Sequence, residues 1–114
     1  MATAAHALTL LVAALHLGFM VLETVGWSRM GRRLGMSPSD IEGSRLLAAN
    51  QGIYNGAVAM TLLWALSSGN DAAVLAMLVF VVVVGVFGGV TVSASILVVQ
   101  ALPAVLALVL RLLG

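Results

Sequence analysis

His16 and Glu23 are the two side chains an apolar segment has least reason to carry, and together they point to acid–base chemistry. An ionisable group at the centre of a lipid-embedded helix costs about 2.5 to 3.5 kcal/mol on insertion scales, so such groups turn toward protein or water and mark candidate sites. At about 100° per residue, seven positions bring Glu23 to within about 20° of His16, and eleven bring Trp27 equally close, so the three share one stripe. The axial separation of His16 and Glu23 is roughly 10 Å. A substrate, a water or a second helix must therefore bridge them. An imidazole that titrates near neutrality, a carboxyl group and the Tyr54 phenol are suitable general acids and bases. We read His16, Glu23 and Tyr54 as candidate catalytic groups. Trp27, Asn50, Gln51, Asn55 and Gln100 are read as candidate ligand-binding groups.

Asn50-Gln51-Gly52-Ile53-Tyr54-Asn55-Gly56 is the densest polar cluster in the chain. With Asn50 at 0°, Tyr54 falls at about 40°, Gln51 at about 100° and Asn55 at about 140°, a wedge that Thr61 extends. Unsatisfied amides in hydrocarbon cost several kcal/mol each, so the wedge is expected to face the first helix rather than lipid. Ser93 and Gln100, also seven apart, share a face that would let Gln100 complete a central pocket. The competing reading is that all these groups are interhelical hydrogen-bond glue, worth about 0.6 kcal/mol per bond on average. Trp27 and Trp64 likewise have an alternative reading as interfacial belt residues. His6 and His16, ten apart, with one glutamate do not match metal-ligand spacing on a helix, so no metal and no cofactor are expected. There is no glycine-rich phosphate loop, serine elbow or nucleotide fingerprint.

The elements that must position these groups follow from composition. Of 114 residues, 62% are hydrophobic and 8% charged, against roughly 25% charged in a soluble domain. An ordinary water-soluble fold is excluded, and the expectation is a single all-α membrane domain, a four-helix bundle in contact with the lipid bilayer. Spans are placed at about residues 5–25, 44–67, 72–89 and 92–113, each near the ~20 residues a bilayer requires. The second helix starts before its span, with Ser37 as N-cap and Pro38 at the first helical position. A turn at Ser67 to Asp71 introduces the third helix. The apolar run Val79 to Val84 resembles a buried strand, but its length and neighbours favour helix. A short Gly88-Gly89 joint is expected before the fourth, where Pro103 should bend the helix one turn earlier.

The net charge of +1 comes from five arginines, no lysine and four acids, so nothing resembles a nucleic-acid footprint. Arg29, Arg32, Arg33 and Arg45 flank the first connection, which places loop 26–43 in the cytoplasm and both termini outside, with Arg111 snorkelling to the far interface. With no cysteine there are no disulfides, thiolate metal sites or cysteine catalysis. The first run has no basic residue ahead of it and no cleavage site behind it, and is read as a retained helix rather than a signal peptide. Gly52 and Gly56, and Gly85 and Gly89, have the small-x-x-x-small spacing that lets helix backbones approach. One pair would serve the monomer and the other a homo-oligomer, a dimer or larger.

Four blocks give the chain a family resemblance: H-x6-E-x3-W from His16 to Trp27; LAANQGIYNG from Leu47 to Gly56; Gly85-x-Phe87-Gly88 through Thr91-Val92; and VVQALPA from Val98 to Ala104. On these it resembles the small four-span bacterial integral membrane proteins known as domain of unknown function 1304, over nearly the whole length. The resemblance implies a compact four-helix fold in the bacterial inner membrane and no established activity. Members often carry an acidic residue immediately before the first-helix histidine, a tyrosine at the place of Phe87 and basic residues at the places of Ala94 and Ser95. The first departure weakens any claim for a two-carboxylate site.

Three functions fit this pattern. The leading expectation is a protein that binds or transforms a lipophilic small molecule by acid–base chemistry in an intramembrane polar pocket. A proton-linked transporter or channel subunit would use the same groups as a relay. A structural or accessory subunit would use them only to hold helices together.

Overall fold

Capping chemistry sets where the helices begin. In the computed structural model, which describes residues 1–114, Ser37 is extended and its Oγ accepts the Asp40 amide at 3.1 Å, with Pro38 following at the first helical position. Asn70 does the same for the next helix, its Oδ1 accepting the Ala73 amide at 3.1 Å. Both satisfy an orphan backbone donor at a helix N-terminus. Gly69, at φ +66°, makes the reversal that precedes Asn70. The resulting chain is all-helical: α1 (Ala2–Thr24), α2 (Trp27–Arg33), α3 (Pro38–Ser67), α4 (Asp71–Thr91) and α5 (Ala94–Leu113).

Three of these, α1, α4 and α5, are long and apolar enough to cross a membrane. The longest, α3, is not among them, because charged residues fill its first two turns and the amide cluster interrupts its middle. Only 22 of 114 residues are buried, far fewer than the hydrophobic content, so most apolar side chains face outward.

The elements depart from the sequence expectation in three places. Seven residues of the expected loop 26–43 form a further helix: α2 folds back on the start of α3, held by Trp27 Nε1 donating to Ser44 Oγ at 2.9 Å and by Gly31 against Ile41. The glycine pair Gly88-Gly89 stays inside α4, and the joint falls later, at Val92 and Ser93, where Ser93 is extended and caps α5. The irregularity forced by Pro103 is a π-helical stretch, Leu97–Ala101, in which the Leu102 amide reaches back five residues to the Leu97 carbonyl. A proline cannot donate to the carbonyl four residues earlier, and a wider turn just before it absorbs that missing bond.

Helix α1 packs along α3 on one side and against α5 on the other, while α4 packs against α5 and less extensively against α3. The tightly packed core lies toward the termini and the α3–α4 turn, where Val12, Leu62, Val74, Leu78 and Val81 interlock across small residues such as Ala13, Ala65, Ala104 and Ala107. Both glycine pairs are consumed inside this one chain. Gly52 and Gly56 receive Met20, Glu23 and Thr24 of α1, and Gly85 and Gly89 receive Ala101 and Leu97 of α5.

Arg111 does not simply reach outward. Its Nε donates to Thr9 Oγ1 at 3.1 Å and its Nη1 to Asp71 Oδ1 at 3.2 Å, tying α5 to α1 and to the first turn of α4. Thr9 is fully buried, whereas the Asp71 side chain is 83% exposed. A charged hydrogen bond to a buried hydroxyl contributes about 1.5 to 3 kcal/mol, and an exposed ion pair at most about 1 kcal/mol. Arg111→Met is therefore expected to lower unfolding stability in detergent clearly more than Asp71→Ala. Equal losses would contradict this division.

Candidate functional site

Away from the packed core the four long helices diverge around a half-open cleft of about 580 Å³. Its polar floor comes from α1 and α3. His16, Glu23, Gln51, Tyr54 and Asn55 all line it, and Gln100 closes it from the π-helical stretch of α5. The remaining wall is apolar: Phe19, Val58, Phe80, Val84, Val92 and Ile96.

The central contact is between Asn55 and Glu23. Asn55 Nδ2 donates to both carboxylate oxygens of Glu23, at 3.1 and 3.0 Å. A carboxylate only accepts, so the amide nitrogen must face it and the Asn55 carbonyl oxygen is turned the other way. The backbone geometry that allows this is local. Taking Asn50 again as 0°, Gly52, Gly56 and Ala59 centre the face of α3 against α1 at about 200°, and Gln51, Tyr54 and Val58 centre its cleft face near 80°. Asn55, at about 140°, stands on the border of both. The bare Gly52 lets the backbones come close enough for the bond: a Cβ there would lie 3.0 Å from the Met20 carbonyl oxygen and 3.1 Å from Glu23 Cβ.

His16 is 2% exposed, and its Nδ1 lies 2.8 Å from the Val12 carbonyl oxygen. That oxygen only accepts, so Nδ1 carries the proton, and in its neutral form the ring presents Nε2 as an acceptor. No buried side-chain nitrogen or oxygen lacks a partner, and Nε2 has none within the protein, so its lone pair opens on the cleft. Phe19 steadies the ring edge-on, with centroids 5.5 Å apart and planes at 67°.

Two residues read from the sequence as ligand-binding lie elsewhere. Trp27 leaves the His16–Glu23 stripe because α1 ends at Thr24. The chain bends through Val25 and Gly26, and the indole becomes the first residue of α2, bonded to Ser44. Asn50 is exposed on the outer face of α3, about 80° from the centre of the cleft face. Conversely, Phe19, Phe80, Val84 and Ile96 line the cleft without any mark in the sequence. On α4 the positions along the cleft are as apolar as those around them, so there is no contrast to show which face of that helix looks inward.

An all-helical chain with three membrane-length apolar helices and a polar cleft between them defines a class of small membrane-type helical proteins. Within it the family is specific. Residues 10–112 match the model of the family described as "Protein of unknown function (DUF1304)", and the chain belongs to that family. It is also similar to "Uncharacterized protein YpaA" of Lactococcus lactis subsp. lactis (strain IL1403), 34% identical over 108 residues, 90% of this chain and 91% of that one. No solved structure matches.

Proposed function

We propose that the chain is a four-span membrane protein whose cleft binds a lipophilic small molecule, with the polar end of the ligand held between Glu23 and His16. The observation that carries this reading is the cleft itself: a carboxylate held by Asn55 and an imidazole acceptor open into one apolar-walled space inside a single chain. Its volume is within the range of small-molecule sites, and a few convergent polar groups in an apolar wall are their usual composition. The ~10 Å between His16 and Glu23 along α1 suits a ligand that touches both. With the imidazole lone pair accepting a proton at one end and the carboxyl group exchanging one at the other, the pair has what acid–base transformation of such a ligand requires.

Supporting a bilayer around the cleft, large apolar side chains such as Leu46, Phe87 and Val90 point outward from the surface of the molecule. In this reading α3 crosses as the fourth span, its amide wedge turned to α1 and the cleft, and the arginine-bearing connection lies in the cytoplasm with both termini outside. Binding is favoured over conduction because an apolar layer separates His16 from the next buried polar pair, Thr9 and Arg111. In that layer Val12, Leu62, Leu78 and Val81 close the bundle, so no hydrophilic line continues to the other face.

The test is mass spectrometry of small molecules that remain with the protein purified in lipid nanodiscs. Wild type and Asn50→Ala are expected to retain the same species, Glu23→Gln to be depleted of it, and Val84→Trp, which fills the cleft, to lack it. Unchanged content in a folded Val84→Trp protein would refute the reading.

A further inference from the structure

The ion pairs of the molecule leave one partly buried carboxylate unmatched. Glu42 pairs with Arg45 at 2.9 Å and Asp71 with Arg111 at 3.2 Å. Arg29, Arg32 and Arg33 lie along α2, outside the cleft. Asp40 is exposed in the first turn of α3. Glu23 alone is partly buried with no arginine paired to it, and its hydrogen-bond partner within the protein is a neutral amide. The rest of the cleft carries no positive group to oppose it: Gln51, Tyr54, Asn55 and Gln100 are neutral, and the His16 ring offers a lone pair. Three of the six aromatic side chains of the chain, Phe19, Tyr54 and Phe80, line the same space.

Resting on the reading that the cleft binds a lipophilic molecule, we infer that its ligand is a lipophilic organic cation, a bulky apolar body bearing one positive centre, for which Glu23 is the counter-ion. A charge partner in a site of low polarity is attracted far more strongly than in water. Aromatic faces add a further attraction for cations that they deny to anions. An anionic ligand would meet repulsion from Glu23 with no cation to offset it. A neutral ligand of equal size would gain the apolar contacts alone. Asn55 holds the carboxylate in place from the α3 side and leaves its remaining acceptor capacity toward the cleft.

Three probes of similar shape separate these cases: tetraphenylphosphonium, neutral triphenylphosphine oxide and tetraphenylborate. Each is equilibrated by dialysis with the full chain in nanodiscs, and uptake by empty nanodiscs is subtracted. Wild type is expected to bind tetraphenylphosphonium saturably, one per chain, about tenfold or more tightly than the oxide. Glu23→Gln is expected to erase that preference, and Val84→Trp to abolish saturable binding of both. If wild type binds the oxide or the borate as tightly as the phosphonium and Val84→Trp removes that binding, the cation inference is overturned while the ligand cleft stands. Persistence of the preference in a folded Glu23→Gln protein also overturns it. Absence of saturable binding of all three probes to wild type overturns both readings.

Discussion

Replacing Gly52 with valine is expected to destabilise the protein by about 3 kcal/mol or more and to break the Glu23–Asn55 contact. Overpacking a tight contact costs about 1 to 3 kcal/mol when side chains can yield. Here they cannot all yield: the first added carbon would sit 2.8 Å from Thr24 Cγ2, 3.0 Å from the Met20 carbonyl oxygen and 3.1 Å from Glu23 Cβ. The carbonyl is part of α1 itself and already accepts the Thr24 hydroxyl at 2.6 Å. The helix must therefore move as a body, carrying Glu23 away from Asn55. Gly56 presents a different obstacle, since its neighbours are all atoms of the flexible Met20 side chain, so Gly56→Ala is expected to cost about 1 kcal/mol or less. Gly43, with nothing within 4 Å of an added carbon, gives the control. Gly43→Ala is expected to stabilise by about 0.5 to 1 kcal/mol through helix propensity alone. Equilibrium unfolding in mixed micelles measures all three, and the order Gly52→Val below Gly56→Ala below Gly43→Ala is the expected one. A Gly52→Val protein as stable as wild type would show that α1 and α3 are not apposed as described.

The second large effect concerns the polar contact itself. Asn55→Leu preserves volume but leaves the Glu23 carboxylate without its protein donor, at an expected cost of about 1 to 3 kcal/mol. Glu23→Leu leaves the amide nitrogen of an almost fully buried Asn55 equally stranded. The double substitution removes both polar groups and makes the contact apolar, which is nearly neutral when shapes match. The cycle is therefore expected to show coupling of about 1 to 2 kcal/mol, with the double variant more stable than the sum of the singles. Additivity to within about 0.5 kcal/mol would mean that the two side chains do not depend on one another.

Much of this arrangement is legible in the residues because membrane-type sequences make polar groups costly and therefore directional. The His16–Glu23 stripe follows from helical periodicity alone, and Ser37-Pro38 announces the start of α3 by capping chemistry. Angular arithmetic also distinguishes Asn55 from Asn50, but only once the faces of α3 are assigned, and that assignment depends on where α1 and α4 lie. The glycines Gly52 and Gly56 fix the α1 face at about 200° on the wheel, a fact that spacing suggests and only packing decides. Trp27 escapes the stripe for a different reason: extrapolating a straight helix past Thr24 ignores the bend at Gly26, where an added carbon would crowd the Leu22 backbone. The joint after α4 falls later than the glycines suggest because two adjacent glycines do not by themselves end a helix, whereas an extended serine that can cap the next one does. The apolar wall of the cleft carries no signal, since α4 is hydrophobic around its whole circumference.

In the proposed reading the Glu23–Asn55 cleft lies within the bilayer, beneath the headgroups. The absence of native cysteine allows single-cysteine variants at Val58 and Val84, on the cleft wall, and at Ser39 and Ser67, near the two ends of α3, each spin-labelled in nanodiscs. Collision with dissolved oxygen, which concentrates in hydrocarbon, is compared with collision with a water-soluble nickel chelate. Labels at Val58 and Val84 are expected to favour oxygen strongly, and those at Ser39 and Ser67 to favour nickel. Nickel-dominated relaxation at Val58 and Val84 would contradict that reading.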